Sequence, residues 1–341
     1  MPLTLPQSCY DVQDGLVAPA DGPRAPIVVY NDPTPDQREF LTTELQIDEH
    51  TLQSALDPDE MARLEFEPDH AAIILKRANR IVDEDNNQEF HVVSLGAFLF
   101  QNKLVFIHTD TLQLFGGRRP SFRCASLQGA LLDVLYQTIA QFMRDIRLIH
   151  HLSETIEDHI AYSLGNRALS SMFDLQKGLV YYQTSLQSNQ ALFAKLRMHA
   201  DRIGFSREER ELLDDIIVEN EQCLKLVEMY SNILTGMSDA RVSIISNNLN
   251  IIMKKLTVIS IIFMPLNIIA SMGGMSEWST LTHKVPWSLS YGAFTAGLFV
   301  IAWVTWLLIR NIGVEERPEG VRKRRRRLRR LPSLLSAVFR H

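Results

Sequence analysis

The sequence predicts an α/β cytosolic domain, then a long α-helical stalk, then two C-terminal transmembrane helices. Three observations carry that expectation. Residues 256–276 and 285–309 are uncharged apolar runs of about 21 and 25 residues, each enough to cross a ~30 Å hydrocarbon core as a helix. The chain before them mixes strand-like and helical patterns of soluble character, and a dense basic cluster at 322–330 follows them.

The elements follow in order. Residues 26–30 (PIVVY) read as a short strand, and Asp32-Pro33-Thr34-Pro35 opens a helix rich in Glu and Leu. Further strands are expected at 71–76, 91–100 and 104–109, with polar turns at 83–88 and at Gln101-Asn102. From about Gln128 the periodicity turns helical, giving helices near 129–163 and 167–200 with a break around Gly165. A third helix starts at Ser206 with the capping box Ser206-x-x-Glu209 and meets no proline before Pro265. It is expected to run unbroken into the membrane and to end near Met272-Gly273-Gly274, a length of ~100 Å. The chain thus divides into a cytosolic α/β domain (1–128), long cytosolic helices and stalk (129–250), a transmembrane domain (251–312) and a basic cytosolic tail (313–341). Within the transmembrane domain the first span is expected at about 256–273, a periplasmic loop at 274–285 and the second span at about 286–310.

Charge fixes the topology. The formal net charge of −5 combines a tail from Arg310 onward at +8 with a remainder at −13. Basic residues beside a membrane helix mark the cytoplasmic side. Two spans then place the N- and C-termini together in the cytoplasm of a multi-pass protein of the bacterial inner membrane. Beside a membrane helix, the basic run reads as topology control and contact with anionic lipid headgroups, not as a nucleic-acid patch. The N-terminus lacks the basic flank of a signal peptide, and the three cysteines are far apart, as reduced thiols of a cytosolic compartment would be. No Gly-rich phosphate loop and no nucleophile with its base marks an enzyme, and no prosthetic group is expected. His150-His151 with Glu154 reads as a solvated helix face.

The third helix carries a stripe at alternating steps of four and three: Asp239, Ser243, Ser246, Asn250, Met253, Thr257, Ser260, Met264, Asn267, Ser271. Such a 3.5-residue spacing holds one face in register with a neighbour. Asn267 turned to lipid would leave amide groups unpaired at a cost of several kcal/mol by order of magnitude. Two spans in one chain cannot hide so long a stripe, so copies of the chain are expected to gather with the stripes inward. Small polar residues also help membrane helices pack closely, which accounts for Ser260 and Ser271 better than for two Asn and two Met. Oxygen rings alternating with Met rings suit a hydrated cation, and Mg²⁺ gives up its water reluctantly.

At these residues the chain resembles the CorA family of divalent-cation channels and transporters, which includes the ZntB branch. The stretch from Ser246-Asn247-Asn248 through Lys254-Lys255-Leu256 to Ser260 is similar to that family's pore helix, and Phe263-Met264-Pro265-Leu266 to its FMPL segment. Asp32-Pro33-Thr34, Leu56-Asp57-Pro58 and the pair of strands at 92–109 match its soluble part. The resemblance implies a homopentameric funnel whose substrate is a divalent cation, Mg²⁺, Zn²⁺ or similar. By position it implies a pore lined by Asn250, Met253, Leu256, Met264 and Asn267. Leu256 and Thr257 compete for one place, the resemblance favouring the former and the spacing the latter.

The family closes its first span with Gly-Met-Asn and then Met-Pro-Glu. Here Gly274, Met275 and Ser276 stand at the signature, followed by Glu277, and Asn267 replaces a pore threonine. These departures are those of a divergent, CmaX-like member, and they keep a second reading open: a non-conducting scaffold or regulator on the same fold. The resemblance also implies a regulatory metal held between subunits. Asp215 would contribute to it, with Asp83, Glu84 or Asp85 from the α/β domain, while Asp239 corresponds to an acid near the pore entrance. Asp215 reads equally as an ordinary exposed acid beside Asp214.

Overall fold

The computed structural model describes residues 5–311 except 14, 21, 23, 83–87, 110–113, 116–121, 123, 161–165, 277–279 and 281–282. The chain divides into two compact units, Met1–Ala240 and Arg241–His341. The expected acids Asp83, Glu84 and Asp85, the break around Gly165, Glu277 and the basic tail lie outside the described residues.

The first unit is built on a seven-stranded sheet in the order β2-β1-β3-β7-β6-β5-β4. Its strands are β1 (Ser8–Gln13), β2 (Leu16–Pro19), β3 (Ile27–Asn31), β4 (Arg63–Phe66), β5 (His70–Val82), β6 (Gln88–Phe100) and β7 (Leu104–His108). Only β3 and β7 pair in parallel among the described strands. Alternation assigns each strand's side chains to two cores, because successive residues of a strand point to opposite faces. Ile27, Val29, Leu104 and Phe106 enter one core, while Val28, Tyr30, Val105 and Ile107 enter the other. A sheet covered on both faces reads as continuous apolar runs, which is why β3 and β7 are plain in the sequence.

Helices α1 (Pro35–Thr43) and α2 (Glu49–Leu56) cover the second face. Thr34 and Gln37 form a capping box at the start of α1, with Pro35 in the first turn, where its missing N–H costs nothing. A Cβ at Gly96 of β6 would stand 2.5 Å from the Cβ of Ala55, so α2 rests directly on the strand there. The other face is covered by α3 (Leu127–Ile160), α4 (Asn166–Met198) and the first part of α6 (Arg207–Gly273). Ala200, expected at the end of α4, belongs instead to a separate turn, α5 (Ala200–Ile203), closed by Gly204 at φ 84°. In α6 the buried residues Leu213, Ile216, Asn220, Cys223, Val227 and Leu234 recur every three, four or seven positions, the seam of a helix packed along its length.

The capping box at Ser206 is present: Ser206 N donates to Glu209 Oε2 at 2.7 Å, and Glu209 N donates to Ser206 Oγ at 3.2 Å. Glu209 also accepts a hydrogen bond from Ser126 Oγ, whose oxygen caps Gly129 N at 2.9 Å in the first turn of α3. One carboxylate therefore serves the starts of two helices.

Strand β5 runs to Val82, well past the expected Lys76, and Gln88, expected in a turn, is the first residue of β6. Cross-strand pairing through Val82↔Gln88 carries the ladder over Arg77-Ala78-Asn79-Arg80, which have little strand preference of their own. Where β4 runs out opposite Ile74, α4 completes the sheet edge. Asn189 Oδ1 accepts from Lys76 N and its Nδ2 donates to Lys76 O, both at 2.8 Å. The amide of Asn189 thus stands in for a peptide group of a missing strand.

His70 opens β5 and is 7% exposed, its ring 4.6 Å from that of Phe100 and 5.9 Å from that of Phe98. Burial holds its pKa below the ordinary 6.5, against the opposing pull of Glu67 and Asp69. The unfolded chain therefore takes up the proton more readily, and stability falls as pH drops below that value. His70→Phe is expected to flatten this loss, measured as the difference in unfolding temperature between about pH 7.5 and about pH 5. An unchanged difference would remove His70 as its source.

The second unit holds the C-terminal part of α6 and helix α7 (Trp287–Asn311). Both are long and apolar enough to cross a membrane, and among the described residues none of their apolar stretches is fully buried. A core helix of a soluble protein with this composition would be buried.

Candidate ion path

Every stripe residue within the second unit lies on α6 and is exposed: Ser243, Ser246, Asn250, Met253, Thr257, Ser260, Met264, Asn267 and Ser271. At 3.6 residues per turn, the positions from Asn250 to Ser271, Leu256 included, fall within an arc of about 120°. Leu256 and Asn250 lie at its two edges, and Thr257 sits about 20° inside the Asn250 edge.

The half-covered positions of the same segment are Val258, Ile262, Pro265, Leu266, Ile269 and Gly273. They fall on an arc of about 100° centred nearly opposite the stripe. On α7 the half-covered residues include Ser290, Phe294, Gly297, Ile301 and Thr305, a repeat of three and four. The two lines meet where the Phe294 ring lies against Gly273: a Cβ there would stand 2.5 Å from Phe294 Cζ. The second helix thus covers the back of α6 and leaves the polar face open.

Two details give this face a chemical sense. Thr257 Oγ1 donates to Met253 O at 2.8 Å. With its proton committed to the backbone, the hydroxyl turns only lone pairs outward, which suits a cation or the water around one. Pro265, on the covered side, lacks an N–H, so the helical bond to the carbonyl of Ile261 is not made.

The helix stops at Gly273, followed by a tight turn in which Gly274 N donates to Ser271 O and Met275 N to Met272 O, each at 3.2 Å. Gly274, Met275 and Ser276 are exposed beyond it. Asp215 and Asp239 are exposed on α6, separated by about 36 Å of helix, so one chain does not bring them together. Asp214, beside Asp215, is paired with Arg197 at 2.9 Å. His150 stacks on Tyr230 with ring centroids 4.5 Å apart, and no group of three potential metal ligands occurs among the described residues. Sequence reasoning missed the Gly273–Phe294 contact; a glycine closing a helix signals only a stop.

The comparisons with known proteins agree with this architecture. The model of the CorA-like Mg²⁺ transporter protein family matches residues 27–310. The cobalt/magnesium transport protein CorA of Methanocaldococcus jannaschii is 27% identical over 240 residues, covering 68% of this chain and 74% of the relative. The complete structure of CorA magnesium transporter from that organism aligns with a TM-score of 0.70 at 21% identity, over 88% of this chain and 96% of that one. The structure of full-length CmaX aligns at 0.54 and 12% identity, over 90% and 98% of the two chains, a likeness of fold alone. The family is one of transporters, not enzymes. A family match spanning the sheet, the long helix and both candidate membrane helices establishes that this chain belongs to the CorA-like Mg²⁺ transporter family.

Proposed function

We propose that copies of this chain gather as a homopentamer, stripes inward, and pass a divalent cation (Mg²⁺, Zn²⁺ or one similar) across the inner membrane. Both termini lie in the cytoplasm, and the cation keeps its hydration on the way. One observation carries the reading: α7 covers the side of α6 opposite the stripe, so no described residue of a single chain shields Asn267 and its neighbours from lipid. Unpaired amides in hydrocarbon cost several kcal/mol by order of magnitude, and a shared wet axis removes that cost. The M. jannaschii relative is a cobalt/magnesium transport protein, which supports a divalent substrate.

In this reading Asn250, Met253, Leu256, Thr257, Ser260, Met264, Asn267 and Ser271 face the axis, with Leu256 and Asn250 nearest the seams between neighbours. Hydroxyl and amide oxygens hold the water shell, and the Met rings narrow the path. Gly274, Met275, Ser276 and Glu277 form the outer mouth, and Asp239 draws cations to the inner one. Asp215 joins a regulatory metal bridged to Asp83 or Asp85 of a neighbouring copy, which restrains the tilt of the stalks. Lys254, Lys255 and the basic tail meet anionic headgroups.

Uptake of Mg²⁺ and Zn²⁺ by proteoliposomes tests the proposal. Uptake no greater than in empty vesicles would favour the non-conducting scaffold. Ser276→Asn is expected to lengthen the reach of the mouth and shift preference toward Mg²⁺ by about tenfold, or 1.4 kcal/mol of differential interaction. An unchanged Mg²⁺/Zn²⁺ competition would place selectivity elsewhere.

A further inference from the structure

Two adjacent glycines end α6, and the structure treats them differently. At Gly273 an added Cβ would stand 2.5, 2.9 and 3.1 Å from Cζ, Cε2 and Cε1 of Phe294, the far rim of the ring. No real side chain tolerates the first two distances, so the ring is seated on the bare backbone of the last helical residue. At Gly274 the nearest atoms to an added Cβ are Ser271 O at 3.5 Å and Ala270 O at 3.9 Å, ordinary contacts. Neither glycine has a positive φ. Gly273 thus lets the ring sit where a methyl group would push it aside, whereas Gly274 has room for one.

We propose that Phe294 is a positioning residue for the outer mouth: seated on Gly273, its ring sets the height and rotation of the last turn of α6. This rests on the conducting reading above. The residues immediately after that turn, Gly274 to Ser276, supply the oxygens that meet the ion. Their placement depends on where the helix stops and which way it is turned. Two short bonds hold them to the helix, Gly274 N to Ser271 O and Met275 N to Met272 O, so the turn moves with α6 as one piece. Ser271, two residues before the seat, is the last member of the stripe. A ring rim seated on a bare Cα acts as a stop.

The test uses the full chain in proteoliposomes and reads the ratio of Mg²⁺ to Zn²⁺ uptake, which does not depend on how much protein is inserted. Phe294→Leu, which shortens the stop, is expected to change that ratio by at least about threefold while the oligomer persists in detergent. Gly273→Ala is expected to shift the ratio similarly by pushing the ring away, and Gly292→Ala on α7, where an added Cβ meets nothing within 4 Å, to leave it near the original. Combining Gly273→Ala with Phe294→Leu is expected to restore much of the original ratio, because the smaller side chain makes room for the methyl. An unchanged ratio in Phe294→Leu, or a larger change for Gly292→Ala than for Gly273→Ala, would overturn the proposal. No uptake by the unaltered protein would instead overturn the conducting reading. If the Gly273 variant does not assemble, the Phe294→Leu ratio decides alone.

Discussion

Asn267→Leu is expected to lower divalent-cation uptake by about 100-fold, equivalent to about 2.7 kcal/mol on the barrier. The side chain is exposed on the uncovered face of α6, within the apolar stretch, between Met264 and Ser271. Its amide offers a donor and an acceptor to a passing hydration shell. In an assembly of identical copies the change is made once per subunit, replacing a polar ring by an apolar one of similar volume. On the proposed path, water then leaves the ring at this position, and a cation crossing it must shed hydration that nothing replaces. Because the substitution adds apolar surface to a membrane helix, it does not oppose insertion. Ile259→Leu, off the stripe, serves as the control and should leave uptake unchanged. Full uptake by Asn267→Leu would take this residue out of the path.

Asn189→Leu is expected to destabilise the first unit by about 2–6 kcal/mol, because two buried backbone groups lose their partners at about 1–3 kcal/mol each. Asn189 is fully buried, and its amide bonds both the N–H and the C=O of Lys76. Leucine fills a similar volume, so the loss reports the hydrogen bonds more than a cavity. The strand is already under demand at this point. The Lys76 side chain is buried, with Nζ donating to Pro58 O at 2.5 Å and to Ser94 Oγ at 3.0 Å. Burial lowers its pKa, against the pull of Asp57, Asp59 and Glu60. Denaturant unfolding of the detergent-purified protein measures the effect. A change below about 1 kcal/mol would mean that water replaces the amide.

The sequence was most legible where one physical constraint acted alone. The apolar runs, the helix opened at Asp32-Pro33-Thr34-Pro35, the capping box at Ser206 and the end of α6 at Gly273 follow from local chemistry, and the structure has each of them. Helical periodicity likewise puts the stripe on one face whatever surrounds it. Elements made by their neighbours were not legible. Strands β1, β2 and β4 and helix α2 had no expectation, being short or weakly patterned; β4 (RLEF) exists because β5 offers an edge. Nor does composition say which side of α6 the second helix takes, since α7 is apolar almost all round. That choice needs the shapes of Gly273 and Phe294. The residues that complete a metal site between copies, if Asp215 has such a role, come from another chain and leave no periodic trace in this one.

The carboxylate of Glu209 has a mechanical meaning beyond capping. By holding Ser206 N and Ser126 Oγ together, it rivets the first turn of α6 to the first turn of α3, and α3 is packed on the sheet. A lever needs a fulcrum, and this rivet supplies one at the foot of α6. Displacing that foot strains both helix starts at once, so α6 can be loaded along its length while its base stays in place.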